Sequence, residues 1–170
     1  DRPEIKRHSG IDFSYQLATG RSRYLCLYKL DQLIQGYAES PMLSMYPDEV
    51  ELPEGEEVQR TYDAMLTAVS DDSWDGDLDA WPEALDVGVI RSITTDHSQC
   101  LGRRCPHITG CSFFRAREGL EETDIIVTNH DLVLADFRLG GGRILSEPEE
   151  SYYIFDEGHQ LAEKCLEHFA

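Results

Sequence analysis

The chain has 170 residues, 41% of them hydrophobic, and a formal net charge of −18. That length suits one domain, or one domain with a satellite, and the apolar share is enough for a core. No apolar run approaches the roughly 20 residues of a membrane-spanning helix, and Asp1-Arg2-Pro3-Glu4 does not read as a signal peptide. With no initiator Met and no helix-ending signal at His168-Phe169-Ala170, the chain is expected to be a piece of a longer protein.

The acidity is regional. Residues 39–86 hold 15 acidic side chains and one basic one, Arg60, whereas residues 91–117 hold five Arg against one Asp. A polyanion is therefore a poor partner for the first segment and a reasonable one for the second.

In chain order, residues 1–20 are polar with short apolar runs and predict no clear element. Gly20 to Leu27 reads as a loop entering an ordered segment. Leu27, Leu30, Leu33 and Ile34 then recur at helical spacing, predicting an amphipathic helix over 27–38. Pro41, Pro47 and Pro53 punctuate an acidic connector. Val58, Tyr62, Met65, Leu66 and Val69 predict a second helix over 56–69, and Trp74 and Trp81 anchor an acidic turn region. Pro82 suits a helix first turn, which predicts a helix over 83–95. Residues 96–111 contain three cysteines, two glycines and a proline, and are expected to be irregular. A helix restarts at 112–119. Asp124 to Thr128 predicts a buried strand, Leu132 to Phe137 a helix, Gly140-Gly141-Gly142 a flexible turn, and Tyr152 to Phe155 a second buried strand. This alternation predicts an α/β piece with parallel strands.

Five cysteines without a secretion signal point to metal binding rather than to a disulfide framework. Cys26, Cys100, Cys105 and Cys111 have the spacing C-x73-C-x4-C-x5-C. An iron–sulfur cluster accepts four thiolates at varied spacing because its irons lie several ångström apart. Structural zinc more often uses shorter knuckles. His97 and His107 keep zinc open, since His97, Cys100, Cys105 and Cys111 would also make a zinc set, and four unrelated buried cysteines are the plain alternative. Cys165, in a helical pattern, reads as a small core hydrophobe.

Asp156-Glu157-Gly158-His159 follows the apolar run 152–155, which puts two carboxylates at a strand's carboxyl edge, where open α/β sheets bind ligands. In nucleotide hydrolases such a pair holds Mg²⁺ and orients the attacking water, and His159 could sense the nucleotide. The alternative is a solvated turn before a helix N-terminus, where acids are favoured by the helix dipole. No G-x-x-x-x-G-K-[ST] phosphate loop occurs, so the chain alone does not complete an ATP site.

Several segments together resemble the iron–sulfur helicases of the DinG/XPD type, most closely the bacterial DinG/YoaA branch. They are Gly20-Arg21-Ser22-Arg23-Tyr24-Leu25-Cys26, the Cys100/Cys105/Cys111 set with Phe113-Phe114-Arg115-Ala116-Arg117, Val127-Thr128-Asn129-His130-Asp131-Leu132, and Asp156-Glu157-Gly158-His159. The resemblance runs from about residue 15 to the end. It implies one [4Fe–4S] cluster on Cys26, Cys100, Cys105 and Cys111, and a Walker B pair at Asp156 and Glu157, with His159 beside it. It implies ATP- and Mg²⁺-dependent 5′-to-3′ unwinding by the complete protein in DNA repair or replication, in a bacterial cytoplasm at the nucleoid, with no membrane.

The fold it implies is a mainly helical cluster insert joined to part of a parallel-sheet, RecA-like motor domain. Residues 1–20 would be the motor-domain edge, 21–119 the cluster and acidic insert, and 120–170 the part of motor domain 1 with the Walker B motif. This piece alone is expected to be inactive. Its partners would be single-stranded and forked duplex DNA and the remaining motor domains. Arg21, Arg23, Arg103, Arg104, Arg115 and Arg117 are the candidates for phosphate contacts. Tyr24, Phe113 and Phe114 are expected to pack around the cluster. The acidic segment 39–86 is no obvious DNA surface. A zinc-stabilised protein-interaction module with no motor role is the alternative reading.

Overall fold

The computed structural model describes residues 2–36 and 55–169. The proline-punctuated connector and the first part of the acidic segment lie outside the described residues. In chain order the elements are α1 (Arg2–Ser9), β1 (Tyr15–Ala18), α2 (Leu27–Ile34), α3 (Glu56–Ser70), α4 (Val87–Ile93), α5 (Ser112–Glu118), β2 (Ile125–Thr128), α6 (His130–Arg138) and α7 (Leu161–Phe169), joined by turns and short 3₁₀ segments. The chain divides into two compact units, one of Gly20–Arg115 and one of Asp1–Thr19 with Ala116–Ala170.

The Gly20–Arg115 unit is helical. The apolar stripes of α2, α3 and α4 meet in a core of Leu25, Leu30, Tyr62, Met65, Trp74, Val89 and Ile93. Leu30, Met65 and Ile93 are fully buried, and each such side chain stabilises the unit by about 1.5–3 kcal/mol. Both tryptophans act as anchors. Their rings lie 4.6 Å apart, and Trp74 Nε1 donates to the Asp77 carbonyl at 2.9 Å. The helix expected from residue 83 begins only at Val87. Asp86, not Pro82, sets its start, because the Asp86 carboxylate accepts from the Gly88 N–H at 2.7 Å and satisfies a donor that would otherwise be orphaned.

The second unit holds a two-stranded parallel sheet, β1 beside β2, in register Tyr15↔Ile125 through Ala18↔Thr128. The α/β character is as expected, but the strands differ from those predicted. β1 lies in the stretch that predicted no element. Its register is set by Asp124, whose Oδ2 accepts from both the N–H and the hydroxyl of Ser14 at 2.7 and 2.8 Å. β2 is not a buried strand, since Ile125 and Val127 are 44% and 51% exposed. With two strands, one face of the sheet is left uncovered.

Residues 152–155 do not form a strand. They keep a period of two, with Tyr152 and Ile154 at 101% and 95% exposure. On the other side Tyr153 packs edge-on to Phe137, 5.3 Å between centroids, and Phe155 lies 5.8 Å from the His130 ring. Among the described residues no strand pairs with this segment, so its backbone has no ladder.

The helix expected at 132–137 is α6. Asn129 caps it by accepting from the Leu132 N–H at 2.9 Å, which gives Asn129 a turn-shaping role. The triple-glycine turn after α6 has φ values of 104°, 80° and 67° at Gly140, Gly141 and Gly142. These left-handed values let the chain fold back over the fully buried Asp136. The Asp136 carboxylate accepts from the N–H groups of Gly142, Arg143 and Ile144 at 3.0, 2.9 and 2.6 Å.

Candidate metal centre

Cys26, Cys100, Cys105 and Cys111 line one cavity of about 330 Å³ in the Gly20–Arg115 unit. Local backbone structure delivers each thiol. Cys26 directly precedes α2, and its N–H donates to the Ile93 carbonyl at 2.7 Å. Cys100 ends a turn organised by Asp96, whose Oδ1 accepts from the N–H groups of Ser98 and Gln99 at 2.8 and 3.0 Å. Cys105 and Cys111 each close a 3₁₀ turn, with N–H groups donating to Gly102 and Ile108 carbonyls at 3.0 and 3.3 Å. The expected irregular loop is therefore two successive tight turns, each ending on a cysteine.

Gly76 brings the distant Cys26 segment beside Cys111. It holds φ at 85° and accepts the Leu25 N–H at 2.9 Å. A Cβ there would lie 2.0 Å from the hydroxyl of Ser112, the buried residue that follows Cys111. Only glycine permits that approach and that φ.

The thiols feel their surroundings and one another. Burial pushes Cys26 above the ordinary cysteine value. The backbone N–H groups of Lys29 and Tyr28 and the Lys29 ammonium oppose that shift, and the charge of Cys105 adds to it. Burial likewise raises Cys111, against the N–H groups of Phe114 and Phe113, while Cys100 and Cys105 raise it further. Both thiols stand where a helix begins, and the first-turn N–H groups favour the thiolate. The Gly102 N–H approaches the Cys100 sulfur at 3.4 Å.

Among the described residues, no three His, Cys, Asp or Glu side chains lie close enough together to hold a single metal ion. His97 is exposed and stands outside the cavity, so the set His97, Cys100, Cys105 and Cys111 is not brought together. His107 does line the cavity, with Nε2 3.6 Å from the Asp31 carboxylate. Tyr24, Phe113 and Phe114 also line it, and the Tyr24 and Phe113 rings meet edge-on at 5.9 Å. Cys165 lies on α7, in the other unit.

The six arginines are placed differently. Arg21 lines the cavity with its guanidinium 4.4 Å from the Phe113 ring centroid. Arg23 pairs with Asp79, and Arg115 with Asp72 at 3.3 Å. Arg103 and Arg104 are exposed on the turn between Cys100 and Cys105. Arg117 donates to the carbonyls of Ile144 and Thr19 at 2.8 and 3.2 Å and so fastens backbone in its own unit.

Asp156, Glu157 and His159 form an exposed turn ahead of α7. Asp156 Oδ1 accepts from the Glu157 N–H at 2.9 Å, and His159 Nδ1 lies 3.3 Å from a Glu157 carboxylate oxygen. Glu157 adopts φ 52°, ψ 36°, a left-handed conformation that costs a non-glycine residue about 1–2 kcal/mol. Such strain collects where a side chain must be aimed. Two residues not singled out by the sequence pattern shape or line the cysteine cavity. Gly76, in an Asp-Gly-Asp turn, and Lys29, a lone base three residues after a cysteine, carry faint signals.

No protein-family model matches the chain. It is 38% identical over 169 residues to a protein of Photobacterium profundum named ATP-dependent DNA helicase DinG, covering 95% of this chain and 22% of that one. Proteins of the same name from Escherichia coli (strain K12) and Salmonella choleraesuis are 31% identical over 150 residues, 88% of this chain and 21% of theirs. The chain thus spans about a fifth of the length of the curated relatives it matches. Along nearly its whole length, this chain is homologous to a segment of the proteins named ATP-dependent DNA helicase DinG.

Proposed function

We propose that the chain is the cluster-bearing segment of an ATP-dependent DNA helicase, with Cys26, Cys100, Cys105 and Cys111 ligating one [4Fe–4S] cluster. The observation that carries this reading is the convergence of all four thiols on one cavity in a chain homologous to proteins named as helicases. The donor set fits the group. Four soft thiolates lining one cavity suit iron and sulfide.

In this reading residues 21–119 form the cluster insert, residues 1–20 the edge of the motor domain, and residues 120–170 part of the first, RecA-like motor domain. The cluster ties the turns at 100–111 to Cys26, so loading is coupled to folding, as in other metal-stabilised modules. Asp156 would hold Mg²⁺ and Glu157 would orient the attacking water, with His159 against Glu157 registering the nucleotide. The phosphate loop and the remaining motor domains would lie elsewhere in the protein. Unwinding would run 5′ to 3′ on single-stranded and forked duplex DNA, in repair or replication, in a bacterial cytoplasm at the nucleoid. Among the phosphate-contact candidates, Arg103 and Arg104 are exposed and have no partner described above. Arg21, Arg23, Arg115 and Arg117 would first have to leave the partners described above.

Metal and sulfide analysis of anaerobically prepared protein tests the reading. The expected result is about four irons and four sulfides per chain, lost when Cys105 is changed to Ser and kept when Cys165 is. One tightly bound zinc without sulfide would overturn it and favour the interaction module.

A further inference from the structure

Lys29 sits in the first turn of α2, three residues after Cys26. Its half-buried side chain lines the thiol cavity, and its Nζ donates to Gln99 Oε1 at 2.9 Å. Gln99 lines the same cavity and adjoins Cys100. One solvent-exposed hydrogen bond thus links the ammonium, on the segment that delivers Cys26, to the segment that delivers Cys100. Burial lowers the Lys29 pKa, and the charges of Cys26 and Asp96 oppose that shift. The lining holds two other basic side chains, and Arg21 Nε is buried there without a hydrogen-bond partner among the described residues. Arg21 lies over the Phe113 ring, and His107 faces the Asp31 carboxylate. Asp96, also within reach of the Lys29 charge, is occupied by the N–H groups of Ser98 and Gln99.

Four thiolates around an iron–sulfide core leave an anionic assembly. Its reduction potential depends on net charge and on nearby hydrogen bonds. One-electron reduction adds a further negative charge, so a cation held beside the thiolates favours the reduced state. We propose that Lys29 is a positioning residue whose fixed ammonium, held by Gln99, raises the reduction potential of the group bound in the thiol cavity. This rests on the cluster reading above.

The test compares Lys29→Met, Lys29→Gln and Lys29→Arg with the parent chain, all prepared anaerobically. Iron and sulfide content is measured first. Redox titration with an external one-electron donor, followed by electron paramagnetic resonance, comes second. The Met and Gln variants are expected to keep the parent content and to be about tenfold harder to reduce, a shift of about 59 mV to lower potential. Lys29→Arg is expected to stay near the parent. Two neutral variants guard against one that fails to fold. Neutral variants with an unmoved potential, an Arg variant shifted as far as they are, or loss of iron from both neutral variants with Arg retaining it would each overturn the proposal. A parent chain without iron and sulfide overturns the cluster reading itself, and this inference with it, which separates the two failures.

Discussion

At the scale of single residues, the strongest requirement falls on Asp136. It is wholly enclosed and accepts three backbone N–H donors from the turn that follows α6. Changing Asp136 to Ala strands those donors and is expected to cost about 3 kcal/mol, read as a lower denaturant midpoint in equilibrium unfolding. Asp131 makes a subtler contribution. Its carboxylate accepts from Lys164 Nζ at 2.8 Å and lies 3.4 Å from His168 Nε2, joining α6 to α7. The hydrogen bond from Lys164 comes first, then its charge and His168, and together they hold the Asp131 carboxyl below the ordinary aspartate value. A lowered carboxyl contributes stability that is complete above the unfolded value of about 3.9 and is lost as pH falls through the folded one. Thermal melts of the parent and of Asp131→Asn are therefore expected to differ near neutrality and to converge on acidification below about pH 4.

At the scale of elements, how each segment ends decides where the chemistry sits. The helices are legible because Leu27, Leu30, Leu33 and Ile34, and likewise Val58, Tyr62, Met65 and Val69, carry a helical period and bury that face. The start of α4 is not legible from Pro82, because a proline signals only that a helix is permitted, whereas the Asp86 cap satisfies a donor. The strands are least legible. Tyr152 to Phe155 has strand composition, but a strand exists only when another backbone pairs with it. Tyr15 to Ala18 is unexceptional in composition and becomes one because β2 lies alongside. At Gly76 the element and the site depend on each other. Gly76→Ala brings a Cβ against Ser112 at a left-handed φ, with an expected cost of about 3 kcal/mol and, where a cluster is bound, lowered iron per chain. Calorimetry and metal analysis of the same preparation check both.

At the scale of the whole molecule, the acidic and basic regions are not independent. Asp79 and Asp72 of the acidic segment pair with Arg23 and Arg115, so part of the excess acid is neutralised within the chain. Exposed pairs of this kind contribute little stability, of order 0–1 kcal/mol. The proposed catalytic turn is the converse case, because its carboxylates are exposed. In the complete protein, on the proposed function, Glu157→Gln is expected to lower ATP turnover by about a hundredfold or more and to leave the iron content unchanged. A steady-state ATPase assay beside metal analysis reads both, and turnover at the parent rate would remove Glu157 from the role proposed for it.

The sequence by itself determined α2 and α3, the set of four cysteines as distinct from Cys165, and the kinship with proteins named as helicases. Each is carried by residue type and local spacing, which survive without knowledge of the fold. Only the tertiary structure decided that Cys26 meets residues more than 70 positions away, that Gly76 allows it, that Lys29 faces the same cavity, and that Tyr15 to Ala18 is the strand beside β2. Those outcomes depend on which backbone donors, acceptors and buried volumes come together in space, and no local pattern encodes them.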